Sequence, residues 1–143
     1  MPLTLAIARR IAEATLSEGK GRGFAPLCVA VLDAGAHTLA LLRDERASIS
    51  RPEIATAKAA GCLGMGFGGR ELARRAQAAP AFIAALNAIF PRGIIPVAGG
   101  VLIRDADGTL LGAIGVSGDT SDNDETCALA GIAAAGLVGD TGA

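Results

Sequence analysis

Residues 101–116 read Val101-Leu102-Ile103-Arg104-Asp105-Ala106-Asp107-Gly108-Thr109-Leu110-Leu111-Gly112-Ala113-Ile114-Gly115-Val116. Two apolar runs, 101–104 and 109–116, flank a four-residue polar break in which Asp107-Gly108 is a strong turn signal. The stretch therefore predicts a β-hairpin. Upstream, Pro26 to Asp33 is a dense apolar run, Asp33-Ala34-Gly35-Ala36 is a turn, and His37 to Arg43 is a return strand. Strands joined this tightly run antiparallel, because a parallel crossover needs a dozen residues or more. The expected class is α+β rather than doubly wound α/β.

The rest of the chain supplies helices. Leu3 to Glu18 places Leu5, Ala8, Ala12 and Leu16 on one stripe, and the run Gly19-Lys20-Gly21-Arg22-Gly23 is expected to stop it. Ser50-Arg51-Pro52-Glu53 matches a capping box and predicts a helix to about Leu63. Beyond the break at Gly64–Gly69, Arg70 to Gln77 and Pro80 to Ile89 read as two short helices. Ile94 to Val97 reads as a short strand before the tight corner Ala98-Gly99-Gly100. A last helix opens within Asp119–Asn123 and ends near Leu137, with a loose tail after it. The predicted order is α–β–β–α–α–α–β–β–β–α. No linker divides it, so one domain is expected over residues 1–143, with its core at about 3–137.

Composition narrows the function classes. Of 143 residues, 31 are Ala and 20 are Gly, and 51% are hydrophobic. So many small side chains imply close backbone approach, and the apolar fraction excludes a disordered chain. Charge is nearly balanced at −1, with no Trp or Tyr and four Phe. Without a basic stripe or a stacking platform, nucleic acid is not an expected partner. No apolar run reaches the ~18 residues of a membrane span, and no secretory leader is evident, so a cytoplasmic location is expected. Cys28, Cys62 and Cys127 are widely separated and form no C-x-x-C pair, so neither a metal site nor a disulfide is expected.

Chemistry concentrates in a few places. Gly112-Ala113-Ile114-Gly115-Val116-Ser117-Gly118 ends a strand four or five residues before a helix begins, and the amides of Ser117 and Gly118 at such a junction suit a carboxylate or phosphate. The acids that follow also serve as helix-end charges, and Asp122 is a candidate general base. Gly99-Gly100 allows a backbone to approach a ligand, or simply makes a turn. Lys58, one of two lysines, sits among small residues that would let its amine reach a site, or it snorkels to solvent. Arg43 follows an apolar strand and is suited to bidentate carboxylate binding. His37, the sole histidine, is a strand residue, a haem ligand or a proton shuttle, and its being alone excludes a two-His metal site within one chain.

Val31-Leu32-Asp33-Ala34-Gly35-Ala36-His37, Arg43, Ala57-Lys58-Ala59-Ala60, Pro96 with Gly99-Gly100, the 112–118 run and Asp122 to Ala128, in this order, resemble the GlcG/HbpS-like family. This is also called the haem-degrading domain family, and it includes the C-terminal domain of a cobalamin adenosyltransferase of propanediol use. The resemblance implies a profilin-like α/β/α sandwich around a five-stranded antiparallel sheet. It further implies homo-oligomers from dimer to octamer, and haem binding or iron release in some members. The chain departs from the family at Arg43-Asp44-Glu45-Arg46-Ala47, where Arg-Met-Asp-Gly-Ala is usual, and it carries no Glu-x-x-Glu iron motif.

The favoured expectation is a small-molecule-binding protein, with haem or another tetrapyrrole as ligand. Arg side chains and backbone amides would hold the propionates and His37 the iron. One alternative is a small catabolic enzyme moving a proton or water on an organic acid. There Arg43, Ser117 and Gly118 would hold the carboxylate, Lys58 or Asp122 would move the proton, and Gly99-Gly100 would stabilise an enolate. The other alternative is a non-catalytic oligomeric accessory protein.

Overall fold

The structure, a computed structural model, describes residues 2–143. Helix α1 (Leu5–Arg22) leads into strands β1 (Cys28–Asp33) and β2 (Thr38–Arg43). Helices α2 (Arg51–Met65), α3 (Gly69–Ala78) and α4 (Pro80–Leu86) follow. Strands β3 (Gly100–Arg104) and β4 (Leu110–Ser117), helix α5 (Ser121–Ala134) and strand β5 (Val138–Asp140) complete the chain. The five strands form one antiparallel sheet in the order β2-β1-β4-β3-β5. Both expected hairpins are present, and the class is α+β.

Strand alternation divides the core into two layers. Val29, Val31, Val101, Ile103, Ile114 and Val116 point to one face, where α1 and α5 cover them with Ile11, Ala12, Cys127 and Ile132. Leu32, Leu102 and Ala113 point to the other, under Ala59 and Cys62 of α2 together with residues of α3 and α4. Helix α2 lies almost on the backbone of β4: a Cβ on Gly115 would come 1.8 Å from the Ala55 carbonyl oxygen. Among the described residues, no helix is long and apolar enough to cross a membrane.

Four expectations change. Helix α1 does not stop at Gly19 but runs on to Gly23, whose left-handed φ of 73° closes it. Gly19 faces Leu27 and Cys127, and its missing side chain lets that last turn pack inward. The capping box at Ser50 does not form, because Ser50 already has helical backbone angles and its hydroxyl makes no capping bond. Ile94–Val97 is not a strand. Pro96 has no N–H to give a ladder, and the Val97 N–H turns back to the Ile95 carbonyl at 3.0 Å. The fifth strand is instead β5 in the expected loose tail, where Val138, Gly139 and Asp140 pair with Arg104, Ile103 and Leu102.

Candidate functional site

Across the sheet end nearest α2, Arg43 pairs with Cys28 and Cys28 with Ser117, so all three face the same side. Arg43 turns its Nη1 onto its own loop, donating to the carbonyls of Asp44 (3.2 Å), Glu45 (3.2 Å) and Ala47 (3.0 Å). The Asp44 carboxylate in turn accepts from Arg46, which holds its pKa down at about 2. Ser117 is fully buried, and its hydroxyl accepts from Arg51 Nη1 at 2.9 Å. Gly118 packs on the Pro26 carbonyl, where a Cβ would come to 2.2 Å.

Lys58 is 4% exposed and Asp124 1%, and the two form an ion pair of 3.2 Å. Lys58 Nζ also donates to the Val116 carbonyl at 2.8 Å. Burial pushes the Lys58 ammonium down and the Asp124 carboxyl up, because low-polarity surroundings disfavour both charges. Gly99, at a φ of 106°, lies directly against this pair: a Cβ there would come 2.9 Å from Lys58 Nζ and 3.0 Å from the Val116 carbonyl oxygen. A Cβ on Gly100 would come 2.6 Å from the Lys58 carbonyl oxygen. The Gly99-Gly100 corner thus admits α2 against the sheet.

Three of the amides around the start of α5 are taken by the chain's own side chains. Asp119 N–H donates to Asp124 Oδ1 (3.0 Å), Thr120 N–H to Asp119 Oδ1 (2.8 Å), and Asn123 N–H to Thr120 Oγ1 (3.2 Å). Asp122 stands apart from Lys58, 79% exposed and paired with Arg70 at 3.0 Å. Arg70 also clasps both carboxylate oxygens of Glu125. The residues expected around one anion site are therefore dispersed among a loop clip, a buried pair and a surface pair.

His37 lies elsewhere. A groove of about 500 Å³ runs between the β1–β2 hairpin, α2 and the loop after α4, a size usual for small-molecule sites. Ala36, Ala60, Leu63 and Phe90 make its walls apolar, with His37 and Arg92 beside them. The His37 side chain is 79% exposed, and its Nδ1 lies 3.3 Å from Asp33 Oδ1. Arg92 Nη1 donates to the Ala36 carbonyl (2.7 Å) and to Thr38 Oγ1 (3.1 Å). These residues suit a flat, apolar ligand carrying carboxylates and a metal: an apolar bed, one imidazole and one guanidinium. Phe90, Arg92 and Asp33 were not legible as site residues in the sequence. They come from two segments far apart in the chain, the end of β1 and the loop after α4, and the one available hint was the scarcity of Phe.

A family model described as "Haem degrading protein HbpS-like" matches residues 3–133. Among solved structures, the chain is similar to HbpS at 34% identity and a TM-score of 0.79, covering 93% of this chain and 89% of that one. It is similar to Klebsiella pneumoniae protein ORFY at 26% identity and a TM-score of 0.82, covering 93% and 90%. It shares the fold of PduOC, solved as a haem complex, at 23% identity and a TM-score of 0.84, covering 96% and 97%. No curated protein matches the chain.

Proposed function

The chain belongs to the HbpS-like haem-degrading family, and from that premise we propose that it binds haem in the groove between the β1–β2 hairpin and α2, with His37 as the iron ligand. The observation that carries the reading is the position of the sole histidine at an apolar groove of about 500 Å³, its Nδ1 already facing a carboxylate. The relative PduOC, of the same fold, was solved with haem. Haem bound there supplies a redox-active iron whose behaviour depends on its axial ligand and surroundings. This chain's part is to ligate, orient and shield. His37 offers Nε2, Leu63 and Phe90 exclude water from one side, and Arg92 suits a propionate through Nε and Nη2, since both of its hydrogen bonds run from Nη1. Lys58 and Asp122 have no part in this reading, being held in separate ion pairs.

Titration with hemin, followed through the Soret band, tests it. The expected result is a saturable red shift at one haem per chain that His37→Ala abolishes or converts to the spectrum of non-specifically bound hemin. An unchanged spectrum and affinity in His37→Ala removes His37 from the iron and the groove from the reading.

A further inference from the structure

The β1–β2 hairpin is more tightly specified around His37 than a plain turn requires. Asp33, the last residue of β1, accepts through Oδ1 from the backbone N–H of Gly35 (2.9 Å) and of His37 (3.0 Å). The Asp33 N–H donates to the His37 carbonyl and the Ala36 N–H to the Asp33 carbonyl, both at 2.9 Å. Ala36, immediately before the histidine, has a φ of 65° and is the one non-glycine residue with positive φ among the described residues. An L-residue with a Cβ rarely adopts that conformation, and such strain persists only where surroundings impose it. Arg92 imposes it from outside, bonding the residues on either side of His37. The imidazole lies over Gly35, where a Cβ would come 3.0 Å from Nδ1.

We infer that Asp33 is a positioning residue for haem ligation: its carboxylate takes the Nδ1–H of His37, which fixes the tautomer and leaves Nε2 as the lone-pair nitrogen facing outward. The inference rests on the haem reading for its purpose, but the tautomer it asserts belongs to the free protein. An imidazole takes its proton on the nitrogen whose hydrogen bond is better satisfied, and a carboxylate on that side raises the basicity of the other nitrogen toward a metal. Asp33 is suited to the role by its position: the backbone N–H groups of Gly35 and His37 hold its Oδ1 in place, 3.3 Å from the imidazole Nδ1.

Two measurements test this separately from the haem reading. The first is the ¹⁵N spectrum of the free protein at a pH where the ring is neutral. His37 is the only histidine, so its two nitrogen shifts need no assignment. The expected result is a proton on Nδ1. A predominant Nε2–H tautomer overturns the inference whatever haem does. The second uses the hemin-loaded protein. Asp33→Asn keeps an oxygen for the amides of Gly35 and His37 but loses the charge. It should retain the His-ligated Soret band while hemin affinity falls roughly 10–100-fold and the ferric/ferrous midpoint moves positive. Wild-type affinity and midpoint in Asp33→Asn overturn the positioning role and leave His37 ligation standing. A Soret band and hemin affinity unchanged in His37→Ala overturn both. If Asp33→Asn fails to fold by circular dichroism, the tautomer measurement on the wild-type chain decides.

Discussion

Replacing Lys58 by methionine isolates the energetics of the buried pair. Methionine fills the same channel without a charge, so little of the effect comes from a cavity. It comes from what remains. Asp124, 1% exposed, keeps only the N–H of Asp119 as partner, and the Val116 carbonyl loses the ammonium that bonded it at 2.8 Å. Removing one member of a buried pair costs about 3–5 kcal/mol, a large part of the roughly 5–15 kcal/mol that stabilises a domain. With a urea slope of about 2 kcal/mol/M, the unfolding midpoint at pH 7 should fall by roughly 2 M. The double variant Lys58→Met/Asp124→Asn should recover most of this, because the amide is neutral and its oxygen can still accept from Asp119. The pH dependence has a definite sign. Burial already raises the Asp124 carboxyl above its ordinary value, and loss of the ammonium removes the main opposing influence. The folded single variant then binds a proton more tightly than the unfolded chain does. Its deficit shrinks as pH falls below the folded pKa and reopens as pH rises through it. The double variant lacks that slope. A loss below 1 kcal/mol in Lys58→Met, or a double variant no more stable than the single, would refute the account.

Asp44→Asn should flatten the acid limb of stability. The Asp44 pKa is lowered from 3.8 to about 2 by Arg46, so its contribution is present above 3.8 and lost as pH falls through 2. Wild type should therefore lose stability over that window relative to the variant, in denaturant titrations at stepped pH; parallel curves would show that the Asp44–Arg46 contact contributes nothing. Gly115→Ala should be severe, because the added methyl meets the α2 backbone at Ala55 rather than a movable side chain. A loss of about 3 kcal/mol or more is expected, seen by scanning calorimetry as a fall in Tm on the order of 10 °C. A Tm within 3 °C of wild type would mean that α2 can lift from the sheet cheaply.

The hairpins were readable because their signals are local. In 101–116 two apolar runs meet Asp-Gly at a fixed offset, and the chemistry of that turn needs nothing from elsewhere: Asp105 Oδ1 accepts the amides of Asp107 and Thr109. Strand β5 was not readable, because three residues with one glycine carry no period. They become a strand only through the free edge of β3, more than thirty positions earlier. Ile94–Val97 erred in the opposite direction: its apolar character is real and Ile94 is buried, but burial here comes from packing on α2 at Gly61 rather than from a ladder. The site shows the same division. Lys58 is conspicuous in its Ala-rich helix, yet its partner Asp124 lies 66 residues away and looked like a helix-end charge. His37 was visible as the sole histidine, whereas the Arg92 that clips its flanks is brought there by the tertiary fold alone.

The near-contact of α2 with β4 has a bearing on how such a chain can diversify. With a helix carbonyl seated where a side chain would stand, that face of the sheet has no interior space to rent to a ligand. The groove lies at the rim instead, between a hairpin tip and the loop after α4. Substitutions there leave the sandwich untouched, so recognition can drift while foldedness is held by glycines and alanines that cannot. Relatives built on this plan are free to differ in what they hold far more than in how they stand.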